Sequence, residues 1–212
     1  MDITNKHLKR RIIDISYKHK LSHIGSCLTA VDIIKQIYDI KKPDEKFVLS
    51  SGHAGLALYV VLESVGGRDA KDIFNHHGVH PDRCSVCGLH VSTGSLGQGL
   101  PIAVGMALAD RSKDVYCLIS DGECAEGSIW EALRITQEQK LDNLFIYANI
   151  NGWGAYREIT VESRLHEQLM EYRVKCIFTT SDQLPFLKGL DAHYYTMNEE
   201  DYEIAKKLLS DN

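Results

Sequence analysis

Apolar residues recur along the chain with two kinds of spacing, and the change between them marks the predicted elements. Near the start, Leu8, Ile12 and Ile15 lie four and then three residues apart, which predicts an amphipathic helix over 4–20. Later, short apolar runs bounded by turn residues predict buried strands instead, the first at 47–49.

The rest of the chain alternates strands with helices. The predicted strands lie at 47–49, 114–119, 143–148 and 174–178, with a possible further one at 193–196. The predicted helices lie at 30–40, after Thr29 as N-cap, and at 54–65, 128–140, 161–173, 181–190 and 199–209. This alternation predicts a doubly wound α/β fold, a mostly parallel sheet with helices on both faces. Because no repeat or linker interrupts it, residues 1–212 are expected to form a single domain.

Composition and charge exclude several classes of function. The chain has 24 Lys and Arg against 29 Asp and Glu, a formal net charge of −5, and its positive charges are spread out, so nucleic acid is not the expected partner. The longest uncharged apolar stretch, 100–109, is about half of what a bilayer span needs, so no membrane helix is expected. The first residues lack an apolar signal core, which makes the cytoplasm the expected location.

Cys84 and Cys87 form a C-x-x-C pair in a segment that also contains His76, His77, His80 and His90. The pair is compatible with a zinc knuckle. Structural zinc sites, however, usually show two pairs of ligands at defined spacing, and only one cysteine pair is present here. Reduced loop thiols are therefore the favoured interpretation.

Polar residues cluster where the predicted strands end, at 51–53, 120–123 and 149–153. Ligands of parallel α/β sheets bind outside these carboxyl ends, so a binding site is expected there. A long loop, 78–97, rich in Gly, His, Ser and Thr, lies between the first two clusters, and loops of this length are usually functional.

Asn151 follows Asp121 by about one strand–helix–strand crossover, which places the two residues at neighbouring strand ends. A carboxylate, an amide oxygen and the carbonyls of the following turn are hard donors that suit Mg²⁺ or Ca²⁺, and Mg²⁺ usually shares its shell with phosphate oxygens. Gly122 lets the backbone approach a diphosphate, and the N–H groups of 123–128 would face that anion. The pattern predicts a metal–diphosphate site, with two plain turns as the alternative.

Five segments, in order along the chain, resemble motifs of the transketolase family. They are Leu-Ser-His-Ile-Gly at 21–25, Leu-Ser-Ser-Gly-His at 49–53, His-Pro at 80–81, the glycine-rich loop at 92–99, and the thiamin-diphosphate motif formed by 120–122, 126–127 and Asn151. Ser120 replaces the first glycine of that last motif, and Ser95 stands where many relatives carry proline. The resemblance implies a thiamin-diphosphate-binding fold of the diphosphate-binding type.

The resemblance also implies binding roles for residues at the strand ends and in the glycine-rich loop. The implied metal ligands are the side chains of Asp121 and Asn151 and the carbonyl oxygen of Trp153. The implied cofactor-binding residues are His53, Gly94, Ser95, Leu96, Gly122, Glu123 and Asn151. The implied cofactors are thiamin diphosphate and Mg²⁺, or Ca²⁺ in its place.

Three residues resemble catalytic positions of the family. His23 and His80 are similar to its substrate-facing histidines, which bind hydroxyls and move protons while a ketose is cleaved, and an ordinary pKa of about 6.5 suits that work. Glu126 resembles a glutamate at the subunit interface, in the carboxylate network that links paired active sites. A solvated first-turn acid is its alternative interpretation.

Nothing after Trp153 resembles the family's pyrimidine-binding domain. The resemblance therefore implies the diphosphate-binding half of a split transketolase, which forms an α₂β₂ assembly with a separately encoded pyrimidine-binding subunit. Relatives continue into a Lys-Gly-containing strand and another cofactor-side histidine. This chain ends soon after Ala192-His193, so neither feature is expected in it.

The implied reaction is transfer of a two-carbon ketol unit between a ketose and an aldose, with sugars or sugar phosphates as substrates. Two alternatives stay open. One is another thiamin-dependent reaction, such as 2-oxo acid decarboxylation or dehydrogenation, or 1-deoxy-ketose synthesis. The other is a non-catalytic binding relic.

Overall fold

A four-stranded parallel sheet forms the centre of the computed structural model, which describes residues 5–154, 157–160, 163–182 and 184–210. Its strands, neighbours in chain order, are β1 (Lys46–Leu49), β2 (Val115–Ser120), β3 (Leu144–Ile150) and β4 (Lys175–Phe178). The four strands predicted from apolar runs are confirmed to within one or two residues at each end.

Helices cover both faces of the sheet. They are α1 (Lys6–His19), α2 (Ile24–Ile40), α3 (Gly55–Ser64), α4 (Ala70–His77), α5 (Gly99–Ala109), α6 (Gly127–Glu138), α7 (Leu165–Glu171) and α8 (Glu199–Leu208). One core lies under α1, α2, α3 and α8, and the other lies under α5, α6 and α7. The predicted fold class, a parallel α/β sheet between two helical layers, is thereby confirmed. No helix among the described residues is long and apolar enough to cross a membrane.

The strand side chains divide between the two cores by position. Phe47 and Leu49 of β1 join the first core, whereas Val48 between them joins the second. Successive residues of a strand point to opposite faces, and here both faces are apolar. A strand buried on both sides is a continuous apolar run, which is why the sequence pattern located these strands.

Thr29 is not an N-cap, because α2 begins earlier, at Ile24. The Thr29 hydroxyl donates to the carbonyl of Gly25 at 2.9 Å and accepts a hydrogen bond of 3.0 Å from the Asn149 amide. A residue type that favours helix ends is therefore used inside a helix to tie α2 to β3.

The predicted helix at 181–190 and the predicted strand at 193–196 are wrong for the described residues. Turns occupy the first segment, where Pro185 lacks an N–H donor and Gly189 has a φ of 73°, and a short 3₁₀ helix spans Leu190–Tyr194. Residue 4 and residues 161–162, which began two of the predicted helices, lie outside the described residues.

Two helices were absent from the sequence prediction. In α5 the side chains are apolar almost all round, so no helical period stands out. Helix α4 is only eight residues long, which is too short for a clear helical period. Asp69 caps it by accepting hydrogen bonds from the N–H groups of Lys71 and Asp72.

Candidate active site

Asp121 and Asn151 meet at the carboxyl edge of the sheet, directly after β2 and β3. One carboxylate oxygen of Asp121 accepts from the N–H groups of Asn151 at 2.9 Å and Gly152 at 2.8 Å, and the other accepts from Gly122 at 3.0 Å. Gly152 has a φ of 86°, which lets the chain turn sharply enough for two successive N–H groups to reach one oxygen. The juxtaposition expected from the spacing is present.

The Asp121 side chain is buried with no cationic partner. Its residue is 1% exposed, and burial raises the pKa of its carboxyl to about 6, even though backbone hydrogen bonds act in the opposite direction. No lysine, arginine or histidine pairs with it among the described residues. A bound cation would compensate the charge of a buried acid of this kind, and the oxygen donors present fit a divalent ion.

The other two predicted metal ligands lie in the turn after β3. The Asn151 side-chain oxygen accepts from the Trp153 N–H at 2.9 Å, and both residues are half-buried. The Gly152 carbonyl accepts from the Ile159 N–H at 2.8 Å, which closes the turn. The three predicted ligands therefore belong to one small unit, and their role as ligands stays a prediction.

Glu123 is placed differently from its neighbour Asp121. Its carboxylate is fully buried and accepts from the Ser50 hydroxyl at 2.6 Å, the Gly97 N–H at 3.0 Å and the Ser120 N–H at 3.1 Å. Burial raises the pKa of this carboxyl. These contacts join β1, β2 and the glycine-rich loop, so the side chain serves the protein's own structure, and its predicted cofactor contact stays untested.

The glycine-rich loop is held against the end of β1. A Cβ on Gly52 would lie 2.6 Å from the backbone of Thr93 and Gly94, so glycine is required for this close approach. The Thr93 hydroxyl donates to the Leu49 carbonyl at 2.7 Å. Gly122 is buried as well, and Ser120 before it does not adopt a positive φ, which explains why serine is tolerated in that motif.

His80 packs on the same loop. A Cβ on Gly94 would lie 2.9 Å from a ring carbon of His80, so the imidazole rests on the glycine backbone. Ser95 is exposed and Leu96 is half-buried, which leaves this part of the loop accessible. The structure therefore brings His80 to the segment predicted to line the cofactor pocket.

Glu126 is the half-buried N-cap of α6 and makes no capping hydrogen bond through its side chain. It lies beside the glycine-rich loop, because a Cβ on Gly97 would be 2.7 Å from the Glu126 Cβ. Its predicted role at a subunit interface stays a prediction.

Three histidines form a cluster next to the start of α2. The ring centroids of His23 and His193 are 4.4 Å apart, and that of His53 lies 5.3 Å from His23 and 5.4 Å from His193. Burial, reinforced by the neighbouring histidines including His80, lowers the pKa of His53 to about 3 and that of His23 to about 4. These imidazoles are neutral at physiological pH and can accept protons.

His193 was not among the predicted site residues, and it was predicted to begin a strand at 193–196. The structure places it in the 3₁₀ helix Leu190–Tyr194, where its carbonyl accepts from the His23 N–H at 2.9 Å. The available signal was the pair Lys188-Gly189 just before it, which lies outside regular secondary structure instead of in the helix predicted at 181–190. His23 itself has a φ of 58° and a buried Nδ1 without a partner among the described residues.

A parallel sheet that carries a buried acid, a glycine-rich loop and half-buried histidines at its carboxyl edge has the arrangement of an α/β ligand-binding domain. The comparison with known families agrees: residues 8–161 match the family described as "Transketolase, thiamine diphosphate binding domain". The chain belongs to this family.

Two relatives show how much of a longer protein the chain represents. It is 37% identical over 164 residues to an apulose-4-phosphate transketolase subunit of Phocaeicola vulgatus, covering 68% of this chain and 58% of that protein. It is 34% identical over 174 residues to human transketolase, covering 73% of this chain and 27% of that protein. The chain thus spans about three-fifths of the first relative and about a quarter of the second.

Solved structures support the fold over almost the whole chain. A transketolase mutant from Pichia stipitis, in complex with fructose 6-phosphate, superposes with a TM-score of 0.77 at 20% identity, covering 96% of this chain and 40% of that one. Transketolase from Leishmania mexicana superposes with a TM-score of 0.71 over the same shares.

Proposed function

We propose that this chain is the diphosphate-binding subunit of a two-chain, thiamin-diphosphate-dependent transketolase. It forms a single domain, acts in the cytoplasm with a separately encoded pyrimidine-binding subunit in an α₂β₂ assembly, and transfers a two-carbon ketol unit between sugars or sugar phosphates. The observation that carries the proposal is the buried Asp121, which has no cationic partner among the described residues and lies next to Asn151, a residue that lines one pocket with His23 and His193.

The cation and the diphosphate share one corner in this proposal. Asp121 and Asn151 would hold Mg²⁺ through side-chain oxygens and Trp153 through its carbonyl, and Ca²⁺ is the alternative ion for the same donors. His53 and the backbone at Gly122 would contact the diphosphate. When bound, thiamin diphosphate supplies the electron sink that no protein side chain provides.

The histidines supply proton transfer at the substrate. His23 and His193 are neutral because burial lowers the pKa of each, so their free ring nitrogens can accept a hydroxyl proton and return it. His80 packs on the glycine-rich loop and lies near enough to His23 to contribute to its lowered pKa. Two imidazoles that line one pocket, with a third nearby, suit a substrate that carries several hydroxyl groups.

Two observations support the partner subunit. The relative from Phocaeicola vulgatus is itself named as one subunit of a transketolase. Glu126 lies beside Gly97 of the glycine-rich loop, whose Ser95 is exposed, and a second chain would cover this part of the loop.

The decisive experiment is reconstitution. The purified chain is mixed with a candidate pyrimidine-binding protein, sought among neighbouring reading frames, and with thiamin diphosphate and Mg²⁺; ketol transfer is measured over pairs of ketoses and aldoses. Transfer is expected only when all four components are present, and not with Asp121→Asn. Pyruvate turnover without ketol transfer would indicate 2-oxo acid chemistry instead. Failure to bind the cofactor with Mg²⁺ and the partner present would indicate a non-catalytic module.

A further inference from the structure

A second group of metal-ligating side chains lies in the segment between α4 and α5, and the proposed reaction does not use it. His77 ends α4, and Cys84 and Cys87 follow in the loop. The ligand atoms of these three residues all lie within 4.8 Å of one another. Both cysteines are free thiols.

The two cysteines are presented by a tight turn. Cys84 and Leu89 exchange two backbone hydrogen bonds of 2.9 Å, and Gly88 adopts a φ of 76° while its N–H donates to the Ser85 carbonyl. A Cβ on Gly88 would lie 3.1 Å from Leu62, so the turn packs on α3. The turn therefore places the thiols of Cys84 and Cys87 close together, which is the arrangement that C-x-x-C pairs have in zinc sites.

His77 supplies the third donor from another element. Its Nε2 is buried and has no hydrogen-bond partner among the described residues, which leaves a polar ring atom unsatisfied. The adjacent His76 is exposed and does not belong to the group of three. A bound ion would give the His77 imidazole a partner that the protein itself lacks.

We propose that His77, Cys84 and Cys87 bind a zinc ion that fixes the loop at residues 78–98. Thiolate and imidazole ligands favour zinc, whereas the all-oxygen donor set at Asp121 favours Mg²⁺, so the two sites differ in chemistry. Each thiol releases its proton to solvent as the ion binds. The fourth position of a tetrahedral zinc ion is left to water.

The proposed ion has a structural task, because the loop carries parts of the active site. The Thr93 N–H donates to the Pro81 carbonyl at 3.0 Å, and the Arg83 N–H donates to the Ser92 hydroxyl at 2.8 Å. These bonds join the two arms of the loop on either side of the cysteine turn. Zinc at the turn would hold both arms, and with them His80, against the sheet.

Metal analysis tests the proposal directly. The chain, purified without a metal-affinity tag or chelator, is expected to contain about one zinc ion per molecule by plasma mass spectrometry. His77→Ala, Cys84→Ser and Cys87→Ser should each reduce this content to below about a tenth. His76→Ala and Cys176→Ser are matched controls that should retain it. Asp121→Asn should retain it too, so the result is independent of the proposed transketolase activity.

Two further measurements do not depend on whether the variants fold. Titration of the metal-free wild-type chain with Co²⁺ should produce a thiolate-to-cobalt charge-transfer absorption. Added zinc should displace the Co²⁺ and abolish this absorption. Trypsin should cleave after the exposed Arg83 at least about tenfold faster once zinc is removed. The absence of both zinc and the cobalt absorption, or a Cys84–Cys87 disulfide under reducing conditions, would overturn the site. Equal cleavage rates would overturn its structural task.

Discussion

Burial shifts the pKa values in two regions of the candidate active site in opposite directions. The carboxylate corner, Asp121 with Asn151, buries an acid, whose pKa rises to about 6. The histidine cluster, His23, His53 and His193, holds half-buried bases, and partial burial lowers the pKa of each. Burial disfavours the charged form in both cases. The corner therefore takes up its proton at a higher pH than an ordinary aspartate does, whereas the cluster takes up protons at a lower pH than an ordinary histidine does.

The largest effect is expected from the substitution that removes the charge of Asp121. Asp121→Asn should weaken Mg²⁺-dependent binding of thiamin diphosphate by more than about 100-fold, because it removes the one charged ligand of the proposed site. Calorimetry with the partner subunit present measures this. Asp142→Asn, an exposed acid at the opposite end of β3, is the control and should bind normally. Similar losses in both variants would refute the assignment of Asp121.

The second prediction separates the cluster from the corner. His23→Ala should lower turnover by about 100-fold while the cofactor affinity changes less than about threefold. The reason is that the His23 imidazole is proposed to transfer protons at the substrate and not to contact the diphosphate. Steady-state rates and cofactor titration of the reconstituted enzyme distinguish the two quantities. Equal loss of cofactor affinity in His23→Ala and Asp121→Asn would contradict the division of roles.

Glu123 tests whether a buried acid near the corner is structural. Glu123→Ala should lower the free energy of unfolding by about 3 kcal/mol, because it leaves a cavity and strands the buried donors of Ser50, Gly97 and Ser120. Urea unfolding measures the change. Glu126→Ala, at a half-buried position, should stay within about 0.5 kcal/mol. A loss of only about 0.5 kcal/mol in Glu123→Ala as well would show that the hydrogen bonds of Glu123 do not stabilise the fold.

The smallest effect is the pH dependence of the cluster. In the unfolded chain His53 titrates at about 6.5, and in the folded chain its pKa is about 3, so below about 6.5 the unfolded state binds more protons. Stability should therefore fall as the pH drops from about 6.5 to 5, by about 1 kcal/mol for this residue after allowance for its partial exposure.

His53→Gln should flatten this acid-side loss, as measured by unfolding at pH 7 and pH 5. The exposed His7→Gln serves as the control and should keep the wild-type slope. Asp121 acts in the opposite sense, because its raised pKa makes the folded state bind more protons between about 3.8 and 6. An unchanged slope in His53→Gln would show that the cluster does not titrate as described.

Local pattern was enough to predict the sheet and the carboxylate corner. The strands were visible because burial on both faces makes a strand apolar throughout, and the corner was visible because one crossover separates Asp121 from Asn151. The start of α2 and the whole of α5 were missed. Thr29 bonds across to Asn149 instead of capping, and α5 lacks a polar face, so neither leaves a local signal.

The sequence by itself determined the four strands, the parallel sheet and the residues that one crossover brings together, because strand burial and crossover length are local properties of the chain. Only the tertiary structure decided that His193 joins His23, and that His77 faces Cys84 and Cys87. These residues meet through the packing of α4 and of the last 3₁₀ helix, which depends on the two cores as a whole and leaves no period or spacing in the sequence.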